Sequence, residues 1–152
     1  MSQSYMQFSE AINNLTEDEA AWITEKLSQL DDQPDPSCPG LEDWQQEIAQ
    51  FGWLGCRWQI ERPDNLPVRL WLYDEESGNV ENLVPFVQAF LTAFRPSDFF
   101  TLEWATWSSK PLLRGFSGGA VLITKDEAFW QSPDKFFEDK INQLQGKEVN
   151  TY

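Results

Sequence analysis

Between Pro67 and Thr106 the hydrophobic period changes twice, and this limits the folds open to the chain. In "PVRLWLYDEE", Val68, Leu70 and Leu72 alternate with Arg69, Trp71 and Tyr73. A period of two is that of a strand with one face buried. In "NLVPFVQAFLTAF" the period lengthens, and Leu83, Val84, Val87, Phe90, Leu91 and Phe94 form the wide apolar stripe of a helix. Pro85 requires that helix to begin near Asn82, which puts the ring in the first turn, and Arg95-Pro96 ends it. "DFFTLEWATW" then returns to alternation, with Phe100, Leu102, Trp104 and Thr106 on one face and Glu103 on the other. Such a chain must lay a helix on a sheet. No Gly-rich fingerprint forces the strand–helix–strand unit to be parallel. The pattern therefore predicts an α+β fold, with helices on one face of a mainly antiparallel sheet.

The flanking segments extend this pattern. In "NLTEDEAAWITEKLSQL", Thr16 and Glu19 make a capping box, and Leu15 can pack on Ala20. Ala20, Ile23, Leu27 and Leu30 form the helix stripe, and Trp22 lies off it. A short helix over Tyr5 to Asn13 is a weaker match. "DDQPDPSCPG" holds three prolines and is a loop, and its aspartates do not match EF-hand spacing. "LEDWQQEIAQFG" reads as a second helix with Leu41, Trp44, Ile48 and Phe51 on one face and Gly52 at its end. "CRWQIERP" is a strand that forms a hairpin with 68–73 through the turn "RPDNLP". "GAVLIT" is the fourth strand. "SPDKFFEDKINQLQG" is a closing helix capped by Ser132, with Pro133 first and Phe137, Ile141 and Leu144 as its buried stripe. The expected order is α-α-β-β-α-β-β-α around a four-stranded sheet. It makes a single domain over 1–152, with an acidic helical part (1–52) and a ββαββα part (53–146).

Composition narrows the chemistry. The 152 residues suffice for one domain with its own core, and 41% are hydrophobic, too many for a disordered acidic chain. The chain contains no histidine. That excludes Ser-His and Cys-His nucleophile pairs and His-based zinc sites. Cys38 and Cys56 form no CxxC motif and read as reduced thiols. No run approaches the roughly 18 apolar residues of a membrane span, and "MSQSYMQFSE" has no signal-peptide pattern, so a cytoplasmic location is expected.

The net charge is −14, of which −10 lies in residues 1–56, where Lys26 is the only base. Direct nucleic-acid binding needs a basic footprint and is disfavoured. The acidic half either keeps the chain in solution or docks on a basic protein surface.

"SSKPLLRGFSGGAVLIT", residues 108–124, gathers hydroxyls, scarce cations and flexible backbone. Ser108, Ser109, Lys110, Arg114, Ser117, Gly118 and Gly119 can hold an anion or a partner carboxylate, with the glycines letting backbone N–H groups approach. Equally, the stretch can be a long β-connection whose cations pair internally and whose glycines permit a turn or bulge. It is not a P-loop, because GxxxxGK[ST] is absent and a strand follows.

"FTLEWATWSSKP" followed by "GFSGGAVLIT" resembles a pattern in a family of small uncharacterised bacterial and phage proteins. There an aromatic strand leads into Ser-Lys-Pro and a Phe-Gly-Gly-Gly turn. This chain matches at Ser109-Lys110-Pro111 and has Phe116-Ser117-Gly118-Gly119 in place of the glycine run. The likeness extends loosely over the last two-thirds of the chain. It implies a shared fold and no activity.

Three classes of function remain. The leading one is a small acidic, non-catalytic module that binds a protein partner with a basic surface, with no cofactor or metal. Inhibitors, immunity-type proteins, chaperones and nucleic-acid mimics belong to it. Trp22, Trp71 and Trp107, off the main stripes, are its candidate interface anchors, whereas Trp44 and Trp58 read as core. The second class is an anion or small-ligand binder using 108–119. The third is a carboxylate- or metal-dependent enzyme, for which Asp74, Glu75, Glu76 and Glu103 are candidates without distinguishing spacing.

Overall fold

The computed structural model describes residues 4–32, 37, 39–108 and 117–146. Its elements in chain order are β1 (Ser4–Leu15), α1 (Glu17–Asp32), α2 (Asp43–Ala49), β2 (Arg57–Glu61), β3 (Val68–Asp74), α3 (Val80–Phe94), β4 (Phe100–Ser108), β5 (Ser117–Ile123), β6 (Ala128–Gln131) and α4 (Pro133–Leu144). The strands form one antiparallel sheet in the order β2-β3-β1-β4-β5-β6. The fold is α+β, but the sheet has six strands, not the expected four.

The two additional strands have separate causes. β1 falls where the sequence suggests a short helix over Tyr5 to Asn13. Phe8 and Ile12 are both buried and stand four residues apart, a spacing that suits a helix face and a strand face alike. Pairing decides between them. Phe8 to Leu15 lie along β3 and Ser4 to Gln7 along β4, with a register shift between Ile12 and Leu15. The "acidic helical part" thus supplies a central strand. β6 has only four residues, too few for a periodic signal. The turn before it is closed by Thr124, whose N–H donates to the Glu127 carbonyl (2.9 Å) and whose Oγ1 accepts from the Glu127 N–H (3.0 Å).

α1, α2 and α3 cover one face of the sheet. Ile23 and Leu27, Ile48, and Phe86 and Phe90 pack there with Leu70, Leu72, Leu102 and Ile123, all with essentially no exposure. Burying large apolar side chains is the main stabilising term, about 1.5–3 kcal/mol each before entropy is charged. The buried polar groups are bonded. Gln45 Nε2 donates to the Lys26 carbonyl (3.1 Å) and to Gln29 Oε1 (2.9 Å), while Gln45 Oε1 accepts from the Glu42 N–H (2.9 Å). This amide clamps α2 to α1. Asp74 Oδ1 accepts the N–H groups of Glu76 (3.0 Å) and Ser77 (2.7 Å).

Thr16 and Glu19 form the expected capping box, and Glu19 does more. Its carboxylate receives Arg95 Nε (2.8 Å) and Nη2 (3.2 Å). Arg95 Nη2 also donates to the Asn13 and Asn14 carbonyls (3.1 Å each). One ion pair thereby ties the end of β1, the start of α1 and the end of α3. Burial works against the Glu19 charge. The hydrogen bonds from Arg95 and Thr16 outweigh it and hold the carboxyl below its usual range.

Three further helix expectations are corrected. α3 starts at Val80, where the Asn79 side chain accepts the Glu81 N–H (3.1 Å), so Pro85 lies inside the helix, beyond the first turn. α2 ends at Ala49, and Gly52 turns the chain at φ +87°, so Phe51 leaves the helix face and is 64% exposed. α4 has no buried residue, and its supposed buried stripe of Phe137, Ile141 and Leu144 is exposed. No described helix is long and apolar enough to cross a membrane.

Candidate partner-binding groove

Trp22 lies off the core stripe of α1 because it points toward the junction of α2 and α3. There it is the centre of an aromatic cluster. Its ring stacks on Trp44 (centroids 5.8 Å, 24°) and Phe86 (6.3 Å, 21°) and meets the Phe94 ring edge-on (5.7 Å, 81°). Trp22 and Trp44 remain half-buried, and their uncovered parts line a cavity of about 440 Å³. Pro85, Gln88, Ala89 and Thr92 of α3 form the facing wall. A smaller cavity of about 130 Å³ lies beside it, lined by Phe51, Ile48, Glu81 and Asn82. Glu47 and Pro85 line both, so the two form one groove between α2 and α3.

The rim is acidic. Glu42, Asp43, Glu47 and Glu81 line the groove and, among the described residues, no lysine or arginine does. Glu42 is partly neutralised by Lys26 Nζ (3.0 Å) and accepts the Trp44 indole N–H (3.3 Å). Asp43, Glu47 and Glu81 are exposed and make no ion pair among the described residues. Acids at the N-terminal turns of α2 and α3 also suit the helix dipole, which is why local sequence alone gave them no function.

The other face of the sheet carries a second, shallow cavity of about 480 Å³, lined by Ser9, Glu10, Asn13, Glu61, Arg69 and Trp71. Its polar groups already serve one another. Arg69 Nε pairs with Glu61 (2.7 Å), and the Trp71 indole N–H donates to Ser9 Oγ (2.8 Å). Burial raises the Glu10 carboxyl above its usual range, with the Glu103 backbone N–H opposing and the Glu103 carboxylate adding to the rise. Among the described residues, no group of three or more Cys, Asp or Glu side chains is placed to hold a metal ion.

The structure separates the residues singled out in the sequence. Trp22 is in the groove. Trp71 is on the opposite side of the sheet, stacked on Tyr73 (3.8 Å), and Trp107 stacks on Tyr5 (5.3 Å) across the β1–β4 pair. Trp44, read as core, packs against the core and still opens onto the groove. Ser109, Lys110 and Arg114 lie outside the described residues. Ser108 ends β4, and Ser117, Gly118 and Gly119 are strand residues of β5, opposite Thr106, Ala105 and Trp104. The two glycines answer to packing. A Cβ on Gly119 would sit 2.4 Å from the Trp104 ring and 2.9 Å from the Gln131 carbonyl, and one on Gly118 would sit 2.6 Å from the Trp104 carbonyl. Comparison with protein-family models, curated proteins and solved structures returns no match.

Proposed function

We propose that this chain is a non-catalytic acidic module that receives a basic, amphipathic segment of a protein partner in the α2–α3 groove. The supporting observation is the pairing of an open aromatic floor, Trp22 and Trp44, with three carboxylates that make no ion pair among the described residues, Asp43, Glu47 and Glu81. Aromatic side chains supply apolar contact and can stack on guanidinium groups. These carboxylates select for cations and speed encounter at low salt.

The test uses a synthetic peptide with arginine and leucine at helical spacing, titrated against the protein and followed by tryptophan fluorescence. Binding is expected, and it should weaken as salt rises, since exposed charges are screened over about 8 Å at physiological ionic strength. Asp43→Lys with Glu47→Lys should reduce affinity about ten-fold or more, the effect of reversing two contact charges. Glu75→Lys with Glu76→Lys makes the same change in net charge away from the groove and should have far less effect. Equal losses in the two variants would mean that bulk charge alone attracts the peptide, and the groove reading would fail. Absence of binding at low salt would reject it outright.

A further inference from the structure

The hollow on the open face of the sheet is shaped by one small residue. Trp71 of β3 stands between Ala11 of β1 and Gln59 of β2 in one cross-strand row, and Arg69 stands opposite Glu61 in the next. Ala11 offers only a methyl group, so the cavity reaches down to it. The Trp71 indole is fixed from two sides. Its N–H donates to Ser9 Oγ (2.8 Å), and Tyr73 stacks on it (3.8 Å, 21°). Tyr73 does not line the cavity, so Trp71 presents to it the side of the ring away from Tyr73. Beside the ring stand Arg69 and Glu61, whose bond uses Nε and Oε1 (2.7 Å). Among the described residues, the two terminal nitrogens of Arg69, Glu61 Oε2 and the Asn13 side-chain amide make no hydrogen bond, and all three residues line the cavity.

A ligand for this hollow must meet three conditions together. It must lay an apolar face on an indole. It must set hydrogen-bond donors beside acceptors, because a carboxylate oxygen only accepts and a guanidinium only donates. It must be uncharged, because Glu61 and Arg69 neutralise each other, a cation would meet Arg69, and the chain at −14 repels anions. A pyranose ring meets all three. Its C–H face suits the negative π-face of an aromatic ring, and two adjacent hydroxyls, each both donor and acceptor, span a carboxylate–guanidinium pair. We propose that the hollow floored by Ala11 binds a neutral saccharide, with the sugar ring against Trp71 and a vicinal pair of hydroxyls on Arg69 and Glu61. The Asn13 amide adds a donor and an acceptor at the edge. The volume of about 480 Å³ lies within the range of about 300–1,000 Å³ that small ligands occupy. Because Trp71 is already held by Ser9 and Tyr73, binding does not have to order it. This inference does not depend on the groove, which lies on the opposite face of the sheet, and a neutral ligand is insensitive to the salt that weakens a basic peptide.

The experiment is saturation-transfer difference NMR on the full chain, at low and high salt. The probes are the methyl glycosides of glucose, galactose and mannose, each titrated to tens of millimolar, with the corresponding uronic acid glycosides as charged controls. Transfer to the ring C–H protons of at least one neutral glycoside is expected, with millimolar affinity that does not change with salt. The matching uronide should bind less tightly. Ala11→Leu fills the hollow and leaves Trp71, Arg69 and Glu61 in place, and Arg69→Lys keeps the charge but removes the planar fork. Each should weaken binding by about ten-fold or more, the equivalent of one charge-assisted hydrogen bond. If Ala11→Leu does not fold, Arg69→Lys, at an exposed position, carries the comparison. Asp43→Lys with Glu47→Lys, in the groove, should leave sugar binding unchanged. No transfer to any neutral glycoside would overturn the proposal. Binding that survives the Ala11 and Arg69 variants, or that is lost in the groove variant, would overturn it by placing the sugar elsewhere. Equal binding of the uronide would overturn the assignment to a neutral ligand.

Discussion

Replacing Glu19 with alanine removes both oxygens that hold Arg95. Glu19 is 4% exposed, and the Arg95 side chain lies within 5.4 Å of the Phe90 ring centroid, so water compensates poorly for the lost partner. Breaking a buried pair by deleting one member costs about 3–5 kcal/mol. Two features place this pair at the low end. Arg95 keeps its bonds to the Asn13 and Asn14 carbonyls, and its side chain retains 24% exposure. Loss of the bond from the Thr16 N–H adds a capping contribution of about 0.5–1 kcal/mol. A total of about 3.5–4 kcal/mol should lower the urea midpoint by about 1.2–2 M at unchanged slope, for a slope of about 2–3 kcal/mol/M. Tryptophan fluorescence reads the transition. The double-mutant cycle with Arg95→Ala should give a coupling of at least about 1.5 kcal/mol. The pH dependence has a defined sign. The folded carboxyl titrates below its ordinary value of 4.5, so the unfolded chain binds the extra proton first. The contribution is complete above pH 4.5 and is lost as pH falls through the lower folded value. The gap between wild type and Glu19→Gln should therefore close only in acid below that point. A coupling under about 0.5 kcal/mol, or a gap that is constant with pH, would falsify the claim that this ion pair ties β1, α1 and α3 together.

Other expectations follow from single sites. Gly119→Ala should destabilise the fold by about 1–3 kcal/mol, because the new methyl meets the Trp104 ring and a carbonyl oxygen, and Trp104→Leu in the same chain should recover part of the loss in thermal melts. Gln45→Ala should cost about 1–3 kcal/mol in urea unfolding, since it removes the three hydrogen bonds of a fully buried amide and leaves the Glu42 N–H without that partner. Burial, then the Asp74 carboxylate, pushes the Cys56 thiol far up, against the Tyr73 backbone N–H. In a Cys38→Ser background, Cys56 should therefore resist a thiol reagent at pH 8 until denaturant is added. Rapid labelling of the native protein would contradict its burial.

Where one segment carried its own signal, the sequence was enough. The alternation at 68–73 and 100–106, the stripe at 83–94 and the Thr16–Glu19 capping box are local, and each appears in the fold. The groove was legible only in fragments. Trp22 stood out for lying off its stripe, and the N-terminal half stood out for its charge, but nothing local says that Trp22 and Trp44 stack or that Glu47 and Pro85 share a wall. Those meetings depend on how α1, α2 and α3 pack, with contacts reaching across 16 to 76 residues.

What the sequence determined by itself is that the fold is α+β, though not its number of strands or their order, together with the sign of its charge and the absence of histidine chemistry, because periodicity and composition are properties of short windows and of sums. Tertiary structure decided the rest. It made Phe8 and Ile12 parts of a central strand, since a four-residue spacing serves both periods and only pairing with β3 and β4 selects one. It also left the apolar row of α4 in the open, because amphipathicity says which side of a helix needs cover but not whether the same chain supplies it.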